Sequence, residues 1–290
     1  MWHFISEHIS QATEQLFICE HARVAHGGDS HACYIIHDHQ HRFFVKTRPY
    51  DDTQQLSHEA EGLTELRGTQ CVLTPSVICH GVTRDESPEM EYLVLSYVKF
   101  ITPSQDAYQR LGEQLASLHL YNGFSSYGWP HDNYIGLSIQ RNGRKSDWAA
   151  FFAECRIGSM LERLAEQGHY IVNIDNFVDD TKQYFSHHQP HPSLLHGDLW
   201  HANVGFCHRG PVVFDPAIYV GDSESDLAMA ELFGGFPTDF FHAYAEVKPI
   251  SHHYAERKLF YQLYHILNHG LLFGGHYLAQ AKDIINTIRS

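Results

Sequence analysis

No stretch of about eighteen apolar residues occurs in the 290-residue chain, which removes a helical membrane span from consideration. The opening MWHFISEHIS lacks the basic start and apolar centre of a secretory leader. Positive charge is scarce. Twenty Lys and Arg face 34 Asp and Glu, for a net charge of −14, which argues against nucleic acid or an anionic membrane as partner and suits a neutral or cationic substrate. The six cysteines (19, 33, 71, 79, 155 and 207) form no C-x-x-C pair and no regular framework, so a reduced compartment is expected and not a disulfide scaffold. These absences together point to a cytoplasmic protein. At 43% hydrophobic and 13% aromatic, the chain is long enough for a large core and, on length, for two lobes.

Histidine, at 25 residues, is over-supplied. The alternating His37, His39 and His41, and His187, His188 and His191 beside prolines, raise the question of zinc. Neither set is completed by Cys or a carboxylate at a familiar spacing, and HDHQH reads better as a polar turn between two strands. Full protonation of the histidines would reverse the sign of the net charge.

The stretch that organises the rest is LLHGDLWHANVGF at 194–206, followed by PVVFDP at 211–216. Asn203 lies five residues after Asp198, and a β-branched, apolar run delivers Asp215 twelve residues further on. Phosphoryl transfer from ATP needs a carboxylate to orient or deprotonate the attacking hydroxyl, and an amide oxygen and a second carboxylate to hold Mg²⁺ on the phosphates. Asp198, Asn203 and Asp215 supply those three groups. Their spacing matches the protein-kinase H-R-D-x-x-x-x-N loop with Gly197 in place of Arg, and Phe214-Asp215 takes the place of the metal-binding D-F-G.

Upstream, β-rich segments at 16–25 and 32–36 flank a Gly27-Gly28 turn that allows close approach to phosphates. Lys46 ends the apolar strand Arg42-Phe43-Phe44-Val45, as a phosphate-pairing lysine does. Thirteen residues on, Glu59 sits in a helical pattern whose Leu56, Ala60, Leu63 and Leu66 share one face, and it is the expected ion partner of Lys46. Two further strands, 77–82 and 90–98, close the sheet. The second leads into a hinge at 96–99, where the backbone of Ser96 and Val98 would meet adenine. From Asp106 the pattern turns helical, with Tyr108, Leu111, Leu115, Leu118 and His119 at core spacing and a long amphipathic helix at 148–165. Asp132, in an irregular aromatic loop, is either a turn residue or a wall of the acceptor site. Trp200 is either core or a ring that stacks on the acceptor. Asp226 reads as a helix cap or as a carboxylate that supports the catalytic-loop backbone.

The runs LLHGDLWHANVGF, PVVFDPAIYVGDSESDLAMAELFGGFP and YQLYHILNHGLLFGGHY resemble the fructosamine kinase (ketosamine-3-kinase) family, and the resemblance covers nearly the whole chain. It implies an α+β, two-lobed, protein-kinase-like fold: a small N-lobe at 1–98 with an antiparallel sheet and one helix, and a larger, mainly helical C-lobe at 99–290. It also implies ATP and Mg²⁺ as cofactors and phosphorylation of the 3-hydroxyl of a small-molecule ketoamine or glycated protein; a monomer or weak homodimer is expected. Residue by residue, it assigns catalysis to Asp198, metal binding to Asn203 and Asp215, and ATP binding to Lys46 with Glu59. The loop after Gly28 reads Asp29-Ser30-His31 where the family has Cys or Ser, Ile and Asn, and Ser223 replaces an Arg. A kinase for another hydroxyl compound, such as an aminoglycoside or choline, and a nucleotide-binding pseudokinase scaffold are the alternatives. The intact Lys46, Asp198, Asn203 and Asp215 count against the scaffold.

Overall fold

A computed structural model describes residues 1–25, 31–84 and 87–290. Gly27 and Gly28 therefore lie outside the described residues. The chain divides into two units, Met1–Pro103 with Gly205–Asp215, and Ser104–Val204 with Pro216–Ser290. The division expected after residue 98 differs in that 99–103 and the segment Gly205–Asp215 belong with the first unit.

The first unit is built on a five-stranded antiparallel sheet: β1 His21–Val24, β2 Ala32–His37, β3 Arg42–Pro49, β4 Val77–Val82 and β5 Met90–Ser96, in the order β1-β2-β3-β5-β4. Strand alternation gives the sheet two apolar faces. Helix α2, Gln55–Gly68, packs Leu56, Ala60 and Leu63 against Leu93, Leu95 and Phe44 on one face. The opposite face, with Ile36, Phe43, Val45, Tyr92 and Val94, is covered by Ile5 and Ile9 of α1, Trp2–Thr13. This second helix is absent from the one-helix expectation. Each fully buried Leu or Ile here is worth about 1.5–3 kcal/mol over its exposed state, which favours holding a helix on both faces. Between β2 and β3, Asp38 Oδ1 accepts from the amides of Gln40 (2.7 Å) and His41 (2.5 Å), which closes the HDHQH segment as a turn.

The second unit is mainly helical. It comprises α3 Ala107–His119, α4 Trp148–Phe151, a π-helical segment Phe152–Gly158, α5 Ser159–Glu166, α6 Ile174–Phe185, α7 Glu224–Glu231, α8 Thr238–Val247, α9 Tyr254–Phe273 and α10 His276–Arg289. The expected single helix at 148–165 thus contains a π segment, a local widening common at functional sites. Two short hairpins complete the unit: β6 Asn133–Ile135 with β7 Ser138–Gln140, and β8 Ser193–Leu195 with β11 Tyr219–Gly221. The remaining strands, β9 Val204–Cys207 and β10 Gly210–Val213, lie almost wholly in the first unit. α3 and α8 approach so closely that a Cβ on Gly112 would lie 2.2 Å from the carbonyl oxygen of Phe240, so only glycine fits there.

Candidate active site

In the first unit, β3 carries Lys46 onto the α2 face, where its Nζ lies 2.7 Å from Glu59 Oε1 and 2.5 Å from Asp215 Oδ1. Lys46 is only 5% exposed. Burial opposes its ammonium, but the carboxylates of Asp215 and Glu59 outweigh burial and hold its pKa above the usual lysine range. Burial likewise pushes Glu59 upward, and Asp215 adds to the push because two carboxylates share one ammonium. Asp215 ends the β9–β10 hairpin in the left-handed region, at φ 54°, a conformation more open to Asp than to most non-glycine residues. The hairpin is tied down by the Val213 amide, which donates to the Leu73 carbonyl (2.9 Å), and by Phe214 stacked on Phe100 (centroids 5.5 Å apart). At the end of β5, Ser96 exchanges hydrogen bonds with Ser76: its amide donates to the Ser76 carbonyl and its Oγ accepts from the Ser76 amide. Val98 lies beyond the strand end, half-buried.

In the second unit, the fully buried β8 delivers His196, Gly197 and Asp198. Asp226, on the first turn of α7, accepts from the amides of His196 (2.8 Å) and Gly197 (2.9 Å). It is therefore the support of the backbone at 196–197 and not the helix cap. His119 Nε2 lies 3.1 Å from the same carboxylate, and His119 Nδ1 lies 2.8 Å from the Tyr244 hydroxyl. Burial would raise the Asp226 pKa, yet His119 and the loop amides pull it below the usual carboxylate range. Asn203, in a 3₁₀ turn, donates from Nδ2 to both the backbone oxygen and Oδ2 of Asp198, each at 2.9 Å. Two acceptors on one side fix the amide so that its oxygen is the atom turned away from Asp198.

Gly197 has φ 82°, and a Cβ there would lie 1.9 Å from the Ala217 carbonyl oxygen. Gly197→Ala is expected to lose about 2–5 kcal/mol in urea unfolding, from left-handed strain and overpacking together. An unchanged midpoint would show that the loop has another conformation available.

Asp132 is exposed, and its Oδ1 accepts the Asn142 amide (2.8 Å), so it closes the loop before β6. Next to it, a buried polar network runs from Asn133 through Gln140 and Asn142 to Arg156, with the Tyr264 hydroxyl on Gln140 Oε1 (2.7 Å) and Gln140 Nε2 on the Ala217 carbonyl (2.9 Å). Ala217 in turn donates to the His196 carbonyl (2.9 Å), which links the network to the loop that carries Asp198. Trp200 is half-buried and lies in a ring cluster: 5.7 Å to Phe233, which is 4.5 Å from His269, itself 5.0 Å from Tyr277. Phe233 has φ 54°, an outlier for a bulky residue.

Among the described residues, His37, His39 and His41 form no metal-holding set. His188 does gather with Asp222 and Glu224, carboxylates that local spacing did not offer. They are already engaged. Asp222 Oδ2 lies 2.6 Å from both His188 Nε2 and the Tyr261 hydroxyl, and Arg257 holds both oxygens of Glu224 at 2.7 Å.

The fructosamine kinase family model matches residues 1–290. This chain belongs to the fructosamine kinase family. A relative from Vibrio parahaemolyticus, named a probable ketoamine kinase, is 43% identical, with 100% of each chain covered. A crystal structure from Haemophilus somnus, named as a candidate fructosamine-3-kinase, superposes with a TM-score of 0.93 at 32% identity, covering 100% of this chain and 98% of that one. An aminoglycoside phosphotransferase solved with AMP-PNP and hygromycin B shares the fold, with a TM-score of 0.65 at 13% identity over 98% of this chain and 97% of that one. The fold is α+β and protein-kinase-like, with an antiparallel N-terminal sheet and a larger helical C-terminal part. Nothing in the spacing of the sequence marked the polar roles of His119, Arg156 or Tyr264. The one available signal was a histidine on the buried stripe of α3, which needs a partner inside the protein.

Proposed function

We propose that the chain transfers the γ-phosphoryl group of ATP to the 3-hydroxyl of ketosamines, sugars joined to an amine as a ketoamine, such as fructosamines or glycated lysine. What carries this is the whole-chain family match together with two intact polar sets: Lys46 with Glu59 and Asp215, and Asp198 with Asn203. The first unit takes the nucleotide, with Lys46 on the phosphates and the backbone around Ser96 and Val98 toward adenine. Asp198 orients the acceptor hydroxyl and accepts its proton. Asn203 and Asp215 fit Mg²⁺ by donor type, an outward amide oxygen and a half-buried carboxylate, both hard oxygen ligands. When bound, the ion would offset charge on the phosphates. Trp200 and its neighbouring rings offer an apolar wall for the sugar or its amine substituent.

The decisive experiment presents ATP and Mg²⁺ with 1-deoxy-1-amino-fructose compounds, choline and an aminoglycoside in parallel. ADP release with the ketoamines is expected, and nuclear magnetic resonance of the product should place phosphate on the 3-hydroxyl. Phosphate on another carbon, or turnover only with choline or the aminoglycoside, would overturn the substrate assignment and leave the kinase chemistry standing.

A further inference from the structure

Five rings form a row beside the C-terminal end of α9, all in the unit that holds Asp198. Trp200 lies 5.7 Å from Phe233, Phe233 4.5 Å from His269, and His269 5.0 Å from Tyr277 and 5.7 Å from Phe273. The row begins near the carboxylate assigned to the acceptor, for Trp200 is two residues from Asp198 and Tyr264 of α9 is within electrostatic reach of it. It ends at the surface. His269 stands about 7.5 Å beyond Tyr264 along the helix, at a rise of about 1.5 Å per residue. Phe273, one turn further on, is 58% exposed.

Two features set the row apart from ordinary packing. Phe233 holds φ 54°, and Gly234 and Gly235 follow at 97° and 65°, in a turn closed by the Phe236 amide on the Ala230 carbonyl (2.8 Å). Glycine would take the first position without strain, so the bulky ring is kept there for its place between Trp200 and His269. His269 carries the second feature. Its Nδ1 lies 2.9 Å from the His265 carbonyl oxygen, which can only accept, so the proton is on Nδ1. Burial holds its pKa below the usual histidine range, which leaves the ring neutral near pH 7 and Nε2 a bare acceptor. Among the described residues nothing donates to Nε2, and the ring is only half-buried. An acceptor nitrogen framed by aromatic faces, with no Lys or Arg in the row, favours a cationic N–H group over a phosphate or a carboxylate. A ketoamine has one such group, its amine, which is protonated near neutral pH. We propose that His269 Nε2 accepts a hydrogen bond from the amine of the bound ketoamine, and that the substituent on that amine runs outward over Tyr277 and Phe273, so that the preferred acceptors carry an apolar or aromatic group on nitrogen. This rests on the ketosamine reading and adds which part of the substrate the rings select.

The test compares three ligands by calorimetry with the full chain: 1-amino-1-deoxyfructose, its N-benzyl derivative, and the benzyl ether in which oxygen replaces the nitrogen. In the wild type the N-benzyl amine should bind about threefold to tenfold more tightly than the unsubstituted amine, the scale of one aromatic pair, and Phe273→Ala should remove most of that ratio. His269→Leu should raise the Kd of the N-benzyl amine about tenfold to a hundredfold, the scale of one hydrogen bond to a charged group, and that of the ether far less. His269→Gln, which keeps an acceptor oxygen, should recover part of the loss. A wild-type ratio near one, or a Phe273→Ala variant that retains the full ratio, overturns the placing of the substituent. Equal weakening of amine and ether in His269→Leu overturns the hydrogen bond, because a purely structural side chain would act on both alike. Phe273 is exposed, so its variant keeps the comparison open should His269→Leu not fold. Ligands that bind in this pattern but are never phosphorylated would refute the ketosamine kinase reading alone, and full turnover of ketoamines without the pattern would refute this proposal alone.

Discussion

Asp215→Asn is expected to fold as the wild type does and to lose Mg²⁺-dependent phosphoryl transfer by about 10²- to 10³-fold, the scale on which one preorganised electrostatic group acts. The amide keeps the shape of the carboxylate and removes its charge. In the native protein that charge lies 2.5 Å from Lys46 Nζ and, with Glu59, makes two carboxylates around one buried ammonium. Losing one of them leaves a balanced Lys46–Glu59 pair and withdraws the neighbour that pushes Glu59 upward, so no buried charge is stranded. Stability should hold while metal-dependent turnover falls. Near-ultraviolet circular dichroism and a thermal melt establish the fold, and initial rates across a Mg²⁺ titration establish the loss. A folded variant with near wild-type rates at every Mg²⁺ concentration would remove Asp215 from the metal site.

The groups legible in the sequence are those whose geometry is local or follows a repeat. Asp198 and Asn203 lie within one loop, so their spacing alone marked them as a pair, and the structure adds that the amide of Asn203 donates to Asp198. Lys46 and Glu59 are thirteen residues apart, but a strand and a helix of clear period made their meeting predictable. Partnerships across long sequence separations were invisible. His119 was correctly placed on a buried stripe, yet its partner Asp226 lies 107 residues away, so its reading as plain core missed the hydrogen bonds by which it props, through Asp226, the loop that carries Asp198. Arg156 is fully buried with its guanidinium 3.8 Å from the centre of the Tyr219 ring, a cation–π contact that no helical period reveals. The π segment that carries it breaks the regular repeat. Helix α1 escaped notice for a related reason: only Ile5, Ser6 and Ile9 are buried along it, and no side chain caps its start. It forms because the sheet face beneath it needs cover.

Asp198→Ala should lower kcat by roughly 10²- to 10⁴-fold, the range of a positioned acid or base. ATP affinity should barely change, since Asp198 is assigned to the acceptor hydroxyl and not to the metal or the nucleotide. The loop should also survive. Its backbone is held from behind by Asp226 through the amides of His196 and Gly197, and neither bond involves the Asp198 side chain. Asn203 would lose the carboxylate oxygen it now bonds at 2.9 Å but keep the Asp198 backbone oxygen at the same distance, so its amide stays oriented. The expected signature is a fall in kcat with an unchanged Kd for ATP and a melting temperature near that of the wild type. A ketoamine lacking the 3-hydroxyl gives the complementary test with the wild-type protein: it should compete with the true acceptor and never be phosphorylated, because the group assigned to Asp198 is missing. If Asp198→Ala instead weakened ATP binding in proportion to its rate, the carboxylate would belong to the nucleotide site. If kcat fell only a few-fold, proton acceptance by Asp198 would contribute little to the barrier, and its place in the loop would be to hold Asn203.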